Sequence, residues 1–371
     1  MTHIDLASTP QTTAFAELLE SAATPHELVV YRGVLTPREL DAPAAESAAL
    51  ATAAAGHDLG WLRRVAVRGE DRFRWLSGMV TNMVNDLGRN CGAWNLVLNA
   101  QGRIQGDLTV WREADQLELE IAADQYDRLL AHLEHFIIMD DVELVPLNGE
   151  AALGLTGPAV EKVLARVGLP VLSEPMTSTR VEWNGMDLRI AREYGGTAAH
   201  YLLWAPQQQL GKLWMYLRTA GATPVGSASL EAFRIAEGIP AYGIDMVERD
   251  LPQETSQMRA LHFSKGCYLG QEIVERIRSR GNVHRHLRQL ELFGPVPAAG
   301  TELALEGGAA AGQITSAAEL PLASGRRVFA LAMIRGEAEA HNGTIAYTVK
   351  AATDGGLAGT ARILAAPPSF S

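Results

Sequence analysis

Lys265-Gly-Cys-Tyr-Leu-Gly-Gln-Glu272, continued by Ile273-Val-Glu-Arg276 and Ile277-Arg-Ser-Arg280-Gly281, is the stretch whose reading decides the fold. It holds Cys267, one of two cysteines in the chain, with Lys265 two residues before it and glycines on either side at 266 and 270. Gly266 would let the backbone approach a partner closely, and the run after Tyr268 consists of good helix formers ending at Gly281. A cysteine at the mouth of a helix, beside a lysine, sits where the helix dipole and a positive charge both favour thiolate. The same residues also suit a small buried hydrophobe ahead of a salt-bridged helix, with Glu272 and Arg276 as an i,i+4 pair. Residue types alone leave both readings open.

Around this stretch lies an ordinary globular composition. The 371 residues are 47% hydrophobic and 20% charged, enough to bury a full core in two or three domains. The formal charge of −11 argues against non-specific nucleic-acid binding by the whole surface, so any anion site is a local basic patch. Cys91 and Cys267 make no disulfide framework and fit a reducing cytoplasm; two thiolates also cannot hold an iron–sulfur cluster of their own. Met1 to Glu20 shows no secretory leader, and no apolar run reaches membrane-spanning length.

Residues 1–60 read as a lead-in of short helical pieces without chemistry. From Trp61 the chain alternates strand and helix signals: Val65–Val67 extended, Phe73 to Leu87 at helical spacing, then Trp94–Asn99 and Ile104–Trp111 as a hairpin. Leu117–Ile121 alternates as a strand, Tyr126–Ile138 is an amphipathic helix, and Val142–Val145 closes the unit. A second unit of similar grammar follows from 149 to 228, with Asn184-Gly185 a strong two-residue hairpin signal. Ser229–Glu237 reads as a helix stopped by Gly238 and Pro240. Short strands from His286 onward predict a small β-barrel or sandwich. The fold class is α+β with antiparallel sheets, divided into 1–60, 61–148 plus 229–282, 149–228, and 283–371.

Three stretches could meet at one ligand. The first joins Ser77 to Asn82, taken as part of the first helix, with Gly102 to Asp107 in the hairpin. Asp107 would present a carboxylate and Asn82 both a donor and an acceptor. The second is Phe233-Arg-Ile-Ala-Glu-Gly238, where Arg234 suits a carboxylate or a planar acceptor edge. The third is the opening stretch, with five arginines from Arg276 to Arg288 plus His284 and His286, a patch fit for a polyanion. Turn chemistry, a surface arginine and a solvated helix face are the plain alternatives. His132 and His135 lack a third ligand, so no metal site is read. No P-loop, no Gly-x-Gly-x-x-Gly after a strand and no Gly-x-Ser-x-Gly elbow is present.

The motif Lys265-Gly-Cys-Tyr-x-Gly-Gln-Glu272, with Arg276 and Arg280-Gly281, resembles the signature of the folate-binding YgfZ family, relatives of the glycine-cleavage T-protein. The resemblance to the wider superfamily runs from about Leu62 to the C-terminus. It implies an aminomethyltransferase-like folate-binding fold with a small C-terminal β-barrel. It further implies tetrahydrofolate or a polyglutamylated derivative as cofactor, bound near Asn82, Asp107 and Arg234, its tail toward Arg276 and the other arginines. Cys267 would be the working thiol, tuned by Lys265, with Tyr268, Gln271 and Glu272 on the pocket wall. The implied role is support of iron–sulfur cluster assembly or repair in client proteins, and through them tRNA modification, by a cytoplasmic monomer that touches neither membrane nor nucleic acid directly. The rival is a true aminomethyltransferase, which needs a lipoyl-bearing carrier. Against it stand Gly106 and Met83, where the T-protein has aspartates, and Arg192 to Thr197, which lacks an acid where the T-protein glutamate grips the pterin. A folate-dependent demethylase would need a flavin domain for which the chain has no room.

Overall fold

The computed structural model describes residues 10–21, 26–281, 283–340, 345–349 and 357–370. Residues 1–9 of the stretch read as free of a leader, and the Arg280 side chain, lie outside the described residues.

The first of two large sheets lines up Gly92–Leu98, Ile104–Arg112, Leu117–Ala122, Leu62–Arg68 and Glu143–Pro146, antiparallel throughout. The second has the order Thr177–Trp183, Met186–Glu193, His200–Pro206, Glu150–Thr156, Ala55–Asp58 and Thr223–Val225, and only its last pair is parallel. Asn184 and Gly185 take φ of 50° and 73°, the left-handed pair that a tight hairpin needs. Apolar side chains of the helices Arg72–Met79 and Tyr126–Glu134 pack one face of the first sheet, through Trp75, Leu76, Leu129 and Leu133. Val160–Val167 and Leu210–Thr219 cover the second in the same way. The facing sides of the two sheets are then left to meet each other.

That inner layer is polar and aromatic. In Leu117–Ala122 every residue is buried, Glu118 and Glu120 included, although a strand of alternating apolar and polar residues usually keeps one face in water. The cations that make this tolerable come from both sheets. Arg64 binds Glu118 and Glu150, and Arg189, wholly buried, donates to Glu113 and Glu120 at 2.8 Å each. Trp111 and Trp204 donate their indole N–H to Glu120 at 2.6 and 2.8 Å and lie beneath the two guanidiniums.

The C-terminal strands close into a six-stranded barrel, which removes every free edge. Phe233, Ile235 and Ala236 of the helix Ser227–Ala236 pack on Leu320, Phe329 and Leu331 of the barrel, tying it to the sheets. Among the described residues no helix is long and apolar enough to cross a membrane.

Two expectations change. The segment before residue 60, read as short helical pieces, also supplies Ala55–Asp58, an inner strand of the second sheet. The helix from Arg72 ends at Met79 rather than near Leu87. Val80 is extended and bridges to Val97, while Thr81 donates its backbone N–H to Leu96 and its hydroxyl to the Ala260 carbonyl. Two successive β-branched residues favour that departure.

Candidate functional site

A cavity of about 210 Å³ opens where the two sheets, the end of the helix Ser227–Ala236 and the short turn Met258–Ala260 meet. Tyr31, Arg32 and Leu59 of the lead-in line it too.

Asp107 projects into the cavity from Ile104–Arg112. Trp94 Nε1 donates to its Oδ2 at 2.9 Å and Gln125 Nε2 to its Oδ1 at 2.8 Å, while Gln125 Oε1 accepts the Asp107 backbone N–H at 3.1 Å. The carboxylate is thereby fixed by two neutral donors and keeps lone pairs for a ligand. The glycine at 106 has a local reason. A Cβ there would lie 2.7 Å from Gln125 Oε1 and 3.0 Å from Leu129 Cδ1. The space of a second carboxylate is taken by the amide that orients Asp107.

Glu193, at the start of the stretch from Arg192 to Thr197, lines the same cavity from the end of Met186–Glu193, away from the point where the T-protein acid is expected. Burial, and then the charge of Glu120, push its pKa up to about 8, so it holds a proton at neutral pH. Its Oε2 faces His200 Nε2 at 3.9 Å. His200 Nδ1 meets Thr156 Oγ1 at 2.6 Å, and the same hydroxyl meets His57 Nε2 at 3.0 Å. One hydroxyl proton serves only one ring, so the other imidazole must donate to the oxygen. Burial lowers His200 to about 4, and burial with the charge of His200 lowers His57 to about 3, keeping both rings neutral.

Arg234 reaches the cavity but is already engaged. Its Nε donates to Glu231 at 2.8 Å and its Nη1 to Asp245 Oδ2 at 2.7 Å and the Ile239 carbonyl at 2.5 Å. Burial works against its charge, but the bonds to Glu231 and the charges of Glu231 and Asp245 outweigh it and raise the pKa. Tyr31 also donates to Glu231, at 3.2 Å. Arg234 is thus an internal brace, not an open receptor. Glu237 is spent similarly. It accepts the backbone N–H groups of Gly196, Thr197 and Ala198 at 2.6–3.1 Å and so holds the glycine loop.

The opening motif lies elsewhere. None of Asn82, Lys265, Cys267, Tyr268, Gln271, Glu272 or Arg276 lines the cavity. Asn82 donates to the carbonyls of Trp94 and Arg259 and accepts the Met83 N–H, which uses its amide in the chain's own turns. Lys265 is buried, and its ammonium caps the helix Arg72–Met79, donating to the carbonyls of Ser77 (2.7 Å) and Val80 (2.5 Å). Burial lowers its pKa to about 7. The lysine expected to tune the thiol is turned inward, and Cys267 is exposed. Helix Gln271–Arg280 begins four residues beyond Cys267, too far for the thiol to sit at its mouth. Tyr268 is buried, Gln271 bonds locally to the Tyr268 backbone, and Glu272 and Arg276 are exposed, with Glu275 and Arg278 forming the helix pair instead. Gly266 has open space around it, whereas Gly270, at φ of 81°, is the close approach: a Cβ there would be 2.5 Å from the Asn99 carbonyl. Of the basic patch, Arg285 is paired with Asp250 and Glu254, and Arg288 and His286 with Glu339. Cys267→Ser should therefore leave ligand affinity at the cavity within about twofold of wild type by calorimetry; a larger loss would place the thiol at the site after all.

Two cavity residues escaped the sequence reading. Glu193 stands beside a glycine turn, and Arg259 is a lone arginine in Gln257-Met-Arg-Ala-Leu261. Its isolation among uncharged residues was the available signal.

The family model described as the GCVT N-terminal domain matches residues 26–265. The aminomethyltransferase of Rubrobacter xylanophilus is 28% identical over 327 residues, 86% of this chain and 86% of that protein. The aminomethyltransferase of Thermus thermophilus is 27% identical over 321 residues, 84% of this chain and 88% of that one. In three dimensions the chain is similar to the glycine cleavage system aminomethyltransferase T from Bartonella henselae, with a TM-score of 0.84 over 98% of this chain and 100% of that one at 19% identity, a likeness of fold.

Proposed function

The chain belongs to the family defined by the GCVT N-terminal domain, and from that premise we propose that it binds a reduced folate in the cavity and transfers a one-carbon unit as an aminomethyltransferase. The observation that carries the reading is Asp107, a carboxylate held by Trp94 and Gln125 at the wall of the cavity. A folate nitrogen that gains a carbon must lose a proton, and a carboxylate within hydrogen-bond reach accepts it. The residues fit such a guest. Trp94 and Tyr194 offer aromatic faces, protonated Glu193 offers a donor and an acceptor, and Arg259 offers a cation. The carrier of the aminomethyl group would be a lipoyl-bearing protein, and the setting the cytoplasm.

The test is calorimetry with tetrahydrofolate, followed by release of ammonia and methylene-tetrahydrofolate from an aminomethylated carrier. Asp107→Asn should bind tetrahydrofolate within a few-fold of wild type and lose about 10²–10⁴ in rate. Absence of folate-dependent turnover in the wild type closes the transfer reading.

One observation favours a second reading, the YgfZ-type role in iron–sulfur cluster maintenance. Cys267 is exposed and separate from the cavity, where a client protein could reach it. Rescue of a strain lacking its YgfZ by wild type, but not by Cys267→Ala, supports that role; equal rescue by both removes the thiol from it.

A further inference from the structure

We propose that Arg259 is the anion receptor of the cavity and takes a carboxylate of the ligand, so that the site selects the acid-bearing tail of a folate and not its ring alone. The inference rests on the folate reading and adds the residue that sets specificity within it.

Arg259 stands in the turn Met258–Ala260, with its guanidinium carbon 5.2 Å from the ring centroid of Trp94 and 5.2 Å from that of Tyr194. Two aromatic faces hold the plane of the fork and leave its N–H edge to be used. Among the described residues no carboxylate comes within ion-pair distance of it, and its buried Nε has no hydrogen-bond partner. Burial draws its pKa below that of an ordinary arginine.

The nearby acids do not fill that role. Glu237 is committed to the loop 196–198, and Glu193 holds its proton at neutral pH. Of the other cavity arginines, Arg234 is closed by Glu231 and Asp245, and Arg32 pairs with Asp124 and donates to the Tyr242 carbonyl. Arg259 is therefore a desolvated, planar cation with open donors, and a carboxylate is the anion that matches its fork with two parallel hydrogen bonds. Trp94 links the two ends of the site, since its N–H edge holds Asp107 and its face carries Arg259. A ligand would thus place its reacting nitrogen at one side of this indole and its acid at the other.

Three probes separate this claim from the folate reading: tetrahydrofolate, 6-methyltetrahydropterin, which has the ring system without the acid, and p-aminobenzoyl-glutamate, which has the acid without the ring. Titrated into wild type and Arg259→Gln by calorimetry, the variant should bind tetrahydrofolate and p-aminobenzoyl-glutamate at least about tenfold more weakly and the methylpterin within twofold of wild type. Arg259→Lys, which keeps the charge without the fork, should fall between and serves if the glutamine variant does not fold. Equal loss for all three probes would mean Arg259 holds the ring or only packs the wall, and unchanged tetrahydrofolate affinity would mean it holds nothing; either overturns the proposal. Wild type that binds p-aminobenzoyl-glutamate through Arg259 but not the pterin keeps the receptor and ends the folate reading. Wild type that binds none of the three ends both.

Discussion

Arg189→Met should lower the stability of the protein by about 3–5 kcal/mol, read as a shift of the urea midpoint at pH 7. Arg189 is wholly buried, donates to Glu113 and Glu120 at 2.8 Å each, and lies 4.8 Å from the Trp111 centroid. It belongs to the second sheet, and its two acceptors lie on or beside the strands of the first. A thioether of similar length would keep much of the packing and remove the charge. Glu120 would retain its bonds from Trp111 and Trp204, but the acids around it would then answer only to Arg64 and the partly exposed Arg180. Burial opposes ionisation of Glu118, and Arg64 and Arg189 presently win, holding its pKa low. Without Arg189 these carboxyls would take up protons, so the deficit should shrink at pH 5. Arg180→Met is the control. Its guanidinium is 38% exposed and 3.5–4.0 Å from its acids, so it should cost under about 1 kcal/mol. A loss below about 1 kcal/mol in Arg189→Met would show that the sheets do not depend on this ion network.

Glu193→Gln should gain stability over wild type as the pH rises, by about 1–3 kcal/mol at pH 9 and close to nothing at pH 4.5. The sign follows from the raised pKa. At pH below 4.5, where the unfolded carboxyl titrates, both states are protonated and the stability is fully present. Between 4.5 and about 8 the unfolded chain ionises while the folded one keeps its proton, so the wild type weakens with pH; above about 8 the difference is constant. About a quarter of the side chain, 26%, remains open to the cavity, which holds the effect below the roughly 1.4 kcal/mol per pH unit of a fully dry group. His200 and His57 act in the opposite window. Their folded pKa values of about 4 and about 3 lie below the ordinary 6.5, so their contribution is present above pH 6.5 and fades as the pH falls. Melting curves from pH 4.5 to 9 for both proteins check this, and a gap that does not change with pH would contradict it.

The architecture was readable where its signals were local. The Asn184-Gly185 turn, the amphipathic helix from Tyr126 and the short strands of the barrel each announce themselves within a dozen residues. Alternation over Leu117–Ile121 marks a strand but not the covering of both its faces, because an alternating strand normally has one wetted face and the arginine that covers Glu120 lies some seventy residues on. Lys265 was misread for the same reason. The carbonyls it caps are 188 and 185 residues away, and nothing near Cys267 reveals that its neighbour is turned inward. Asp107 and Arg234 both line one cavity, yet only the fold shows that Arg234 is closed by Glu231 and Asp245. Arg259 acquires its character wholly from Trp94 and Tyr194, which are distant in sequence.

Lys265 and Tyr268 are both buried while Gly266 and Cys267 stand outside, so the sulfur rides on a short blister of chain riveted at each end. A dye or spin label attached there would tumble with the body of the protein rather than with a loose loop. It would also leave the cavity between the sheets untouched, which makes this cysteine a natural attachment point for watching a partner dock.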